Sequence, residues 1–176
     1  QPQFKTAMQL KKGVSNMVSK KVSDSQVVMS SVMLPQHANT SGNVHGGEIM
    51  KLMDSTAAVV ARRHARCNVV TARVDELRFL HPCHIGDVVT CYGKLTFVGR
   101  SSMEVLVTVT VEDLKKDEPP KIALTAYFTL VALDEHGKPQ EVPSLDIQTE
   151  EELRLFKEGE KRYLAHKNQR QQLIQR

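Results

Sequence analysis

The chain has no tryptophan, only three cysteines and an aromatic content of 5%. With so few rings, its core must be built from Val, Leu, Ile, Met and Ala. The cysteines, Cys67, Cys83 and Cys91, are odd in number and scattered. They make no disulfide framework, which fits a reducing compartment. No apolar run approaches the length of a bilayer span. The first dozen residues lack the charged, apolar, small-residue order of a secretory leader. Both point to a cytoplasmic protein with no membrane partner. There is no Gly-x-Ser-x-Gly elbow, no Walker-type phosphate loop, no internal repeat and no low-complexity tract.

What is present is an ordinary globular balance, 40% hydrophobic and 25% charged over 176 residues. That length suits one domain with short appendages. The formal charge is +4 and the pI near 9.0. The basic residues are dispersed apart from the pairs Lys11-Lys12, Lys20-Lys21 and Arg62-Arg63. A nucleic-acid face is therefore not expected, and a polyanionic small molecule fits better. Three segments are read: a polar basic arm over 1–24, a domain over 25–135, and a linker with a helix over 136–176.

Val27 to Leu34 is a β-branched run stopped by Pro35, hence a strand. Turn formers fill Gln36 to Asn43. From Gly46-Gly47, apolar residues recur at helical spacing through Ile49, Met50, Met53, Ala57 and Val60. Ala58, Val59 and Ala61 fill the other side, so the helix reads as buried nearly all round and ends near Arg63-His64. Four strand-like runs follow: Val69–Phe79, Asp87–Val98, Ser102–Lys115 and Lys121–Leu133. Short links join the last three, which makes them antiparallel neighbours. One long helix with an antiparallel sheet is an α+β arrangement. Thr149 with Glu152 forms a capping box that opens a second helix. The later half of that helix is polar and reads as exposed or draped on a neighbouring subunit.

Asp54 stands out. It sits amid the apolar stripe of the first helix, where a charged group needs a reason to be. It is a candidate general base. His45-Gly46-Gly47 opens the same helix. Free N–H groups at a helix N-terminus favour negative charge, and glycine lets a ligand come close, so this is a candidate oxyanion hole. Gly47 and Asp54 are about 10 Å apart along one helix at 1.5 Å per residue. One carbonyl cannot readily meet both within one chain. Two such helices running antiparallel across a twofold axis would bring Asp54 of one to Gly47 of the other. His81-Pro82-Cys83-His84 holds ligand types, but zinc sites draw on paired motifs. It is read as a turn, and no metal is expected.

The stretch His37-Ala38-Asn39-Thr40-Ser41-Gly42-Asn43-Val44-His45-Gly46-Gly47-Glu48-Ile49-Met50-Lys51-Leu52-Met53-Asp54 resembles the hotdog-fold acyl-coenzyme A thioesterases. The likeness is to the cytosolic brain-type hydrolases and their bacterial single-domain relatives. Ile85-Gly86-Asp87-Val88-Val89 and Val98-Gly99-Arg100-Ser101-Ser102-Met103-Glu104-Val105 are similar to that family as well. The resemblance spans residues 25–135. It implies a hotdog fold, a five-stranded antiparallel sheet wrapped around one long central helix. It also implies a homo-oligomer joined edge to edge, as a dimer or a trimer of dimers.

The same resemblance makes Asp54 and Asn39 the catalytic pair. It puts Arg100, Ser101 and Ser102 near coenzyme A, which is substrate and product; no cofactor is expected. The expected reaction is hydrolysis of acyl-CoA in fatty acid metabolism. Gly47, aided by Gly46, would hold the carbonyl oxygen, Asp54 would activate water, Asn39 would orient water or carbonyl, and His45 would serve packing or positioning. A non-catalytic acyl-CoA sensor on the same fold is the alternative, and a hotdog dehydratase the third reading. Asp54 and Asn39 favour hydrolysis over both.

Overall fold

The computed structural model describes residues 18–174. Most of the expected N-terminal arm therefore lies outside the described residues. Its last part is no free arm. Strand β1 (Lys20–Lys21) pairs in parallel with β7 (Leu145–Asp146), and Val22 beside it is buried. Val142, Leu145 and Leu155 are buried as well. The core thus reaches past both boundaries expected at 25 and 135.

Between these flanks runs β2 (Val27–Val32), helix α1 (Gly46–Ala65), then β3 (Asn68–Phe79), β4 (Val88–Val98), β5 (Ser102–Glu112) and β6 (Lys121–Leu133). Helix α2 (Glu150–Ile174) follows β7. The five long strands form one antiparallel sheet in the order β2-β4-β5-β6-β3. The meander β4-β5-β6 is local, as its short links require. Strands β2 and β3 flank α1 in sequence and take opposite edges of the sheet. This is how the helix comes to lie across the sheet's concave face.

Alternation sets which face is core. In β5, Met103, Val105, Val107 and Val109 are all fully buried beneath α1. On β4 the same face carries Val89, Cys91, Gly93 and Leu95. A Cβ on Gly93 would stand 2.9 Å from both Thr56 Cγ2 and Val60 Cγ2. Only glycine lets α1 approach the sheet this closely.

Helix α1 departs from the expectation of an all-round apolar helix. Ile49, Met53, Thr56, Ala57, Val60, Ala61 and His64 face the sheet. Lys51, Asp54, Ser55, Arg62 and Arg63 face outward and are exposed. Sequence alone made Ala58 and Val59 look like core; in the fold both are half-covered.

Helix α2 packs on the opposite, convex face, against β4. Its capping box forms, shifted by one residue. The Glu152 N–H donates to Thr149 Oγ1 at 3.1 Å, while Glu152 Oε2 accepts from the Gln148 N–H at 2.7 Å. The helix docks through Gly159, where a Cβ would sit 2.6 Å from Phe97 Cβ. Phe97 stacks between Phe156 and Tyr163. Arg162 donates twice to Glu104, at 2.9 and 2.8 Å, and lies over the Tyr127 ring. So Glu104, on the polar alternate of β5, is buried under α2. The early part of the segment expected to be exposed, Lys161 onward, holds this anchor instead.

Candidate functional site

The loop before α1 is built by Asn39. Its Oδ1 accepts from the backbone N–H groups of Ser41 and Asn43, at 2.9 and 3.2 Å. The Asn39 N–H donates to the Asn43 carbonyl at 2.7 Å. With Oδ1 committed to the loop, the amide plane is fixed and the Nδ2 hydrogens are the end left for other partners. The Val44 N–H donates to the Cys83 carbonyl, and Asn43 bridges to His84. The His81–His84 segment is thus the support on which the Asn39 loop rests. Among the described residues, no group of three or more His, Cys, Asp or Glu is placed to hold a metal ion.

His45 is the N-cap of α1. Its Nδ1 accepts from the Gly47 N–H at 2.9 Å. The donor expected to serve as an oxyanion hole is therefore capped by a side chain of its own chain. The physical reason is general: the first N–H groups of a helix have no intrahelical acceptor, and a neighbouring side chain satisfies one. Gly47 can hold a ligand oxygen only when His45 turns away. Among the described residues, the Gly46 N–H meets no such acceptor.

Asp54 is exposed rather than buried. It lies on the flank of α1 that looks toward the β3 edge, and none of the described residues covers that flank. Its Oδ1 accepts from the Thr71 hydroxyl at 2.6 Å. Thr71 escaped the sequence reading because one Thr within a β-branched run carries no local signal. Only the packing of α1 against β3 brings it to Asp54. The Thr hydroxyl spends its one proton on Asp54, so the carboxylate is held as an acceptor.

Asn39 and Asp54 share no hydrogen bond within the chain, and the Gly47–Asp54 separation follows from one continuous helix. The site is open, with the Asn39–Gly47 end at the start of α1 and Asp54 two turns further along. A cleft of about 210 Å³ between β2 and α1, lined by Met33, His37, Lys51 and Ser55 among others, lies on the other flank. Arg100, Ser101 and Ser102 sit on the β4–β5 turn, closed by the Gly99 N–H to the Ser102 carbonyl at 2.8 Å. Sheet register aligns Ser102 with Val131 and, one strand further, Val131 with Val70 of β3. That puts the turn about 10 Å across two strand spacings from the residue next to Thr71. Arg100 is largely exposed and pairs with Glu141 at 3.0 Å. The turn touches neither Asp54 nor Asn39 in the single chain.

What this arrangement offers chemically is a fixed carboxylate, amide donors and a helix N-terminus, on an open surface. Comparison with known proteins gives it a context. The sequence model of the thioesterase superfamily matches residues 41–118. The cytosolic acyl coenzyme A thioester hydrolase of Mus musculus is 41% identical over 151 residues, 85% of this chain and 40% of that protein. The chain thus spans about two fifths of the length of this mammalian relative. A hexameric acyl-CoA thioesterase, solved in its apo form, superposes with TM-score 0.81 at 35% identity, over 87% of this chain and 97% of that one.

An acyl-CoA hydrolase of Staphylococcus aureus, solved with butyryl coenzyme A, coenzyme A and coenzyme A disulfide, superposes with TM-score 0.80 at 32% identity. The match covers 89% of this chain and 95% of that one. Three further structures of that hydrolase carry Ala in place of an Asn, an Asp and a Thr, successively 15 and 17 residues apart. With these likenesses over nearly the whole of two solved chains, on the same five-stranded sheet and central helix, this chain belongs to the hotdog-fold acyl-coenzyme A thioesterase family.

Proposed function

We propose that this chain hydrolyses acyl-CoA thioesters to a free carboxylic acid and coenzyme A, with water as nucleophile and without a resident cofactor. The observation that carries the reading is the Thr71–Asp54 hydrogen bond of 2.6 Å. Asn39, Asp54 and Thr71 are 15 and 17 residues apart, the spacings of the Asn, Asp and Thr replaced in the S. aureus hydrolase. A sensor that only binds its ligand has no use for a carboxylate held this way.

The chemistry follows from the free groups. Asp54 takes a proton from water as the water oxygen adds to the thioester carbonyl carbon. The charge that develops on the carbonyl oxygen is met by backbone N–H groups at the start of α1 and by Asn39 Nδ2. Gly47 joins them once His45 gives up its N–H; Gly46 needs no such release. Collapse of the tetrahedral intermediate then expels the coenzyme A thiolate, and the proton held by Asp54 passes to it, directly or through solvent. Asn39 acts on the carbonyl rather than on water, because its Oδ1 is held by the loop.

Separation along α1 makes a site shared by two copies the natural solution, with Asp54 from one and the Asn39–Gly47 end from the other. Edge strand β3, with its exposed Val70 and Val74, is the surface on which a second sheet would continue. The hexameric relative supports a homo-oligomer, and a trimer of dimers satisfies both. Arg100, released from Glu141, is suited to a phosphate of coenzyme A, with Ser101 and Ser102 as hydroxyl donors. A cytoplasmic location accords with the cytosolic mammalian relative, and a place in fatty acid metabolism is what the proposed acyl-CoA substrate implies.

The test is release of free thiol from a panel of acyl-CoAs, short to long, by wild type and Asp54→Ala. Turnover by wild type, with about 10²–10⁴-fold loss in the variant, is expected for a general base. Binding of acyl-CoA without thiol release would identify a sensor. Hydration of crotonyl-CoA without thiol release would identify a dehydratase.

A further inference from the structure

Three residues of β3 belong to the core-bearing face of the sheet, yet none of the described residues covers them fully. Thr71 is paired with Leu130, Val74 with Phe128 and Phe79 with Leu124. Residues directly paired across two strands point to the same side of a sheet. Those three partners are buried in the core, at 0–2% exposure, whereas Val74 is 37% and Phe79 58% exposed. The core face therefore continues past α1 as an open, apolar strip along the sheet edge.

Within one chain the strip runs between the two groups that the chain would contribute to separate shared sites. One end is the Thr71–Asp54 hydrogen bond. At the other end the Phe79 ring rests on Gly46, so closely that a Cβ there would stand 3.2 Å from Phe79 Cε1. Gly46 opens α1 and precedes the N-terminal donor Gly47. Measured along β6, from Leu124 to Leu130, the strip is about 20 Å long at some 3.3–3.4 Å per residue.

We propose that Phe79, with Val74 further along the same strip, is the wall against which the acyl chain of the substrate lies, and that Phe79 sets chain-length preference. This rests on the thioester hydrolase reading above. The argument is chemical. A carbonyl held at the start of α1 sends two arms away from it. The pantetheine arm is rich in amides, and neither Val74 nor Phe79 offers a hydrogen-bonding group. An alkyl arm gains in proportion to the apolar area it covers, and here that area lies uncovered beside the N-terminal donors. Phe79 follows the bulge that separates Asp75 from Arg78 in the pairing with β6. The bulge corrects the strand's phase so that both Val74 and Phe79 stay on the core-bearing face.

The experiment uses the full chain in its assembled state. kcat/KM is measured for acetyl-, hexanoyl- and dodecanoyl-CoA with wild type, Phe79→Ala and Phe79→Leu, alongside size-exclusion chromatography of each. The expected result is that Phe79→Ala lowers the dodecanoyl-to-acetyl ratio of kcat/KM about tenfold, within the range that loss of apolar pocket contacts produces. Phe79→Leu, which keeps an apolar side chain, recovers most of that ratio. If Phe79→Ala lowers all three substrates by one common factor, the ring is not an acyl wall. The inference also falls if the variant merely dissociates the assembly and loses every activity together. A wild type that releases thiol from none of the three refutes the hydrolase reading itself, which is a separate failure.

Discussion

Asp54 and Thr71 make sense as a pair because of what each would do alone. An exposed carboxylate on a helix flank swings among rotamers; one that accepts a 2.6 Å hydrogen bond from a strand hydroxyl points one way. Orientation of this kind is how a fold turns an ordinary side chain into a reagent. His64 illustrates the opposite case, a titratable group that the chemistry does not need. It is fully buried at the end of α1. Its Nε2 donates to the Pro143 carbonyl at 2.7 Å, and its Nδ1 has no partner. Lys20 donates to the His64 carbonyl from the neighbouring strand. Burial foremost, with Lys20 nearby, holds the His64 pKa below the ordinary 6.5, against the opposing pull of Pro143 and Asp24. The folded chain thus prefers neutral His64, and protonation favours unfolding. The stability it contributes is present above pH 6.5 and is lost as pH falls below that value. Thermal melts between about pH 7 and pH 5 will show a falling Tm, and the fall will be shallower in His64→Phe. Parallel curves for the two proteins would remove His64 as the cause.

Elements repeat this theme of partners supplied from a distance. Glu104 sits on the face of β5 that alternation marks as polar, and the structure buries it to 5% exposure. Its charge is matched by two hydrogen bonds from Arg162, and by Thr96 Oγ1 donating at 2.6 Å. Removing one partner of a buried pair leaves an uncompensated charge, typically at about 3–5 kcal/mol. Arg162 keeps some exposure, so Arg162→Met should cost near the lower end of that range in urea denaturation. Arg162→Met combined with Glu104→Met should recover most of the loss. A single variant as stable as wild type would mean that the pair does not anchor α2.

The order and type of the long elements were legible because their periods are strong and their stops, Pro35 and the Gly46-Gly47 start, are local. Asp54 and Asn39 were singled out through a continuous motif. What escaped was set by layers: the cover that α2 places over Glu104, the packing of β1 and β7 around Val22 and Val142, and the meeting of Thr71 with Asp54. Local pattern also overstated the burial of α1. An apolar stripe does not say how much of a helix one sheet can cover.

At the scale of the whole molecule, the described residues leave the β3 edge of the sheet and one flank of α1 uncovered. Strand β3 has 12 residues and, among the described residues, pairs only on its β6 side. Asp54, Thr71, Val74 and Phe79 all open onto that same edge. A second copy approaching across a twofold axis would pair along this edge, wall the Val74–Phe79 strip from its other side and complete two equivalent sites. The central claim is that catalysis belongs to the pair of copies, with Asp54 from one and Asn39 from the other. It is tested most directly by mixing two inactive variants, Asp54→Ala and Asn39→Ala, after reversible dissociation, and measuring release of coenzyme A. Random exchange makes half of the dimers hybrid, each with one intact site of two, so activity should return to about a quarter of wild type. If the mixture stays as inactive as its components, although exchange is shown by hybrid species in native mass spectrometry, the shared site is wrong.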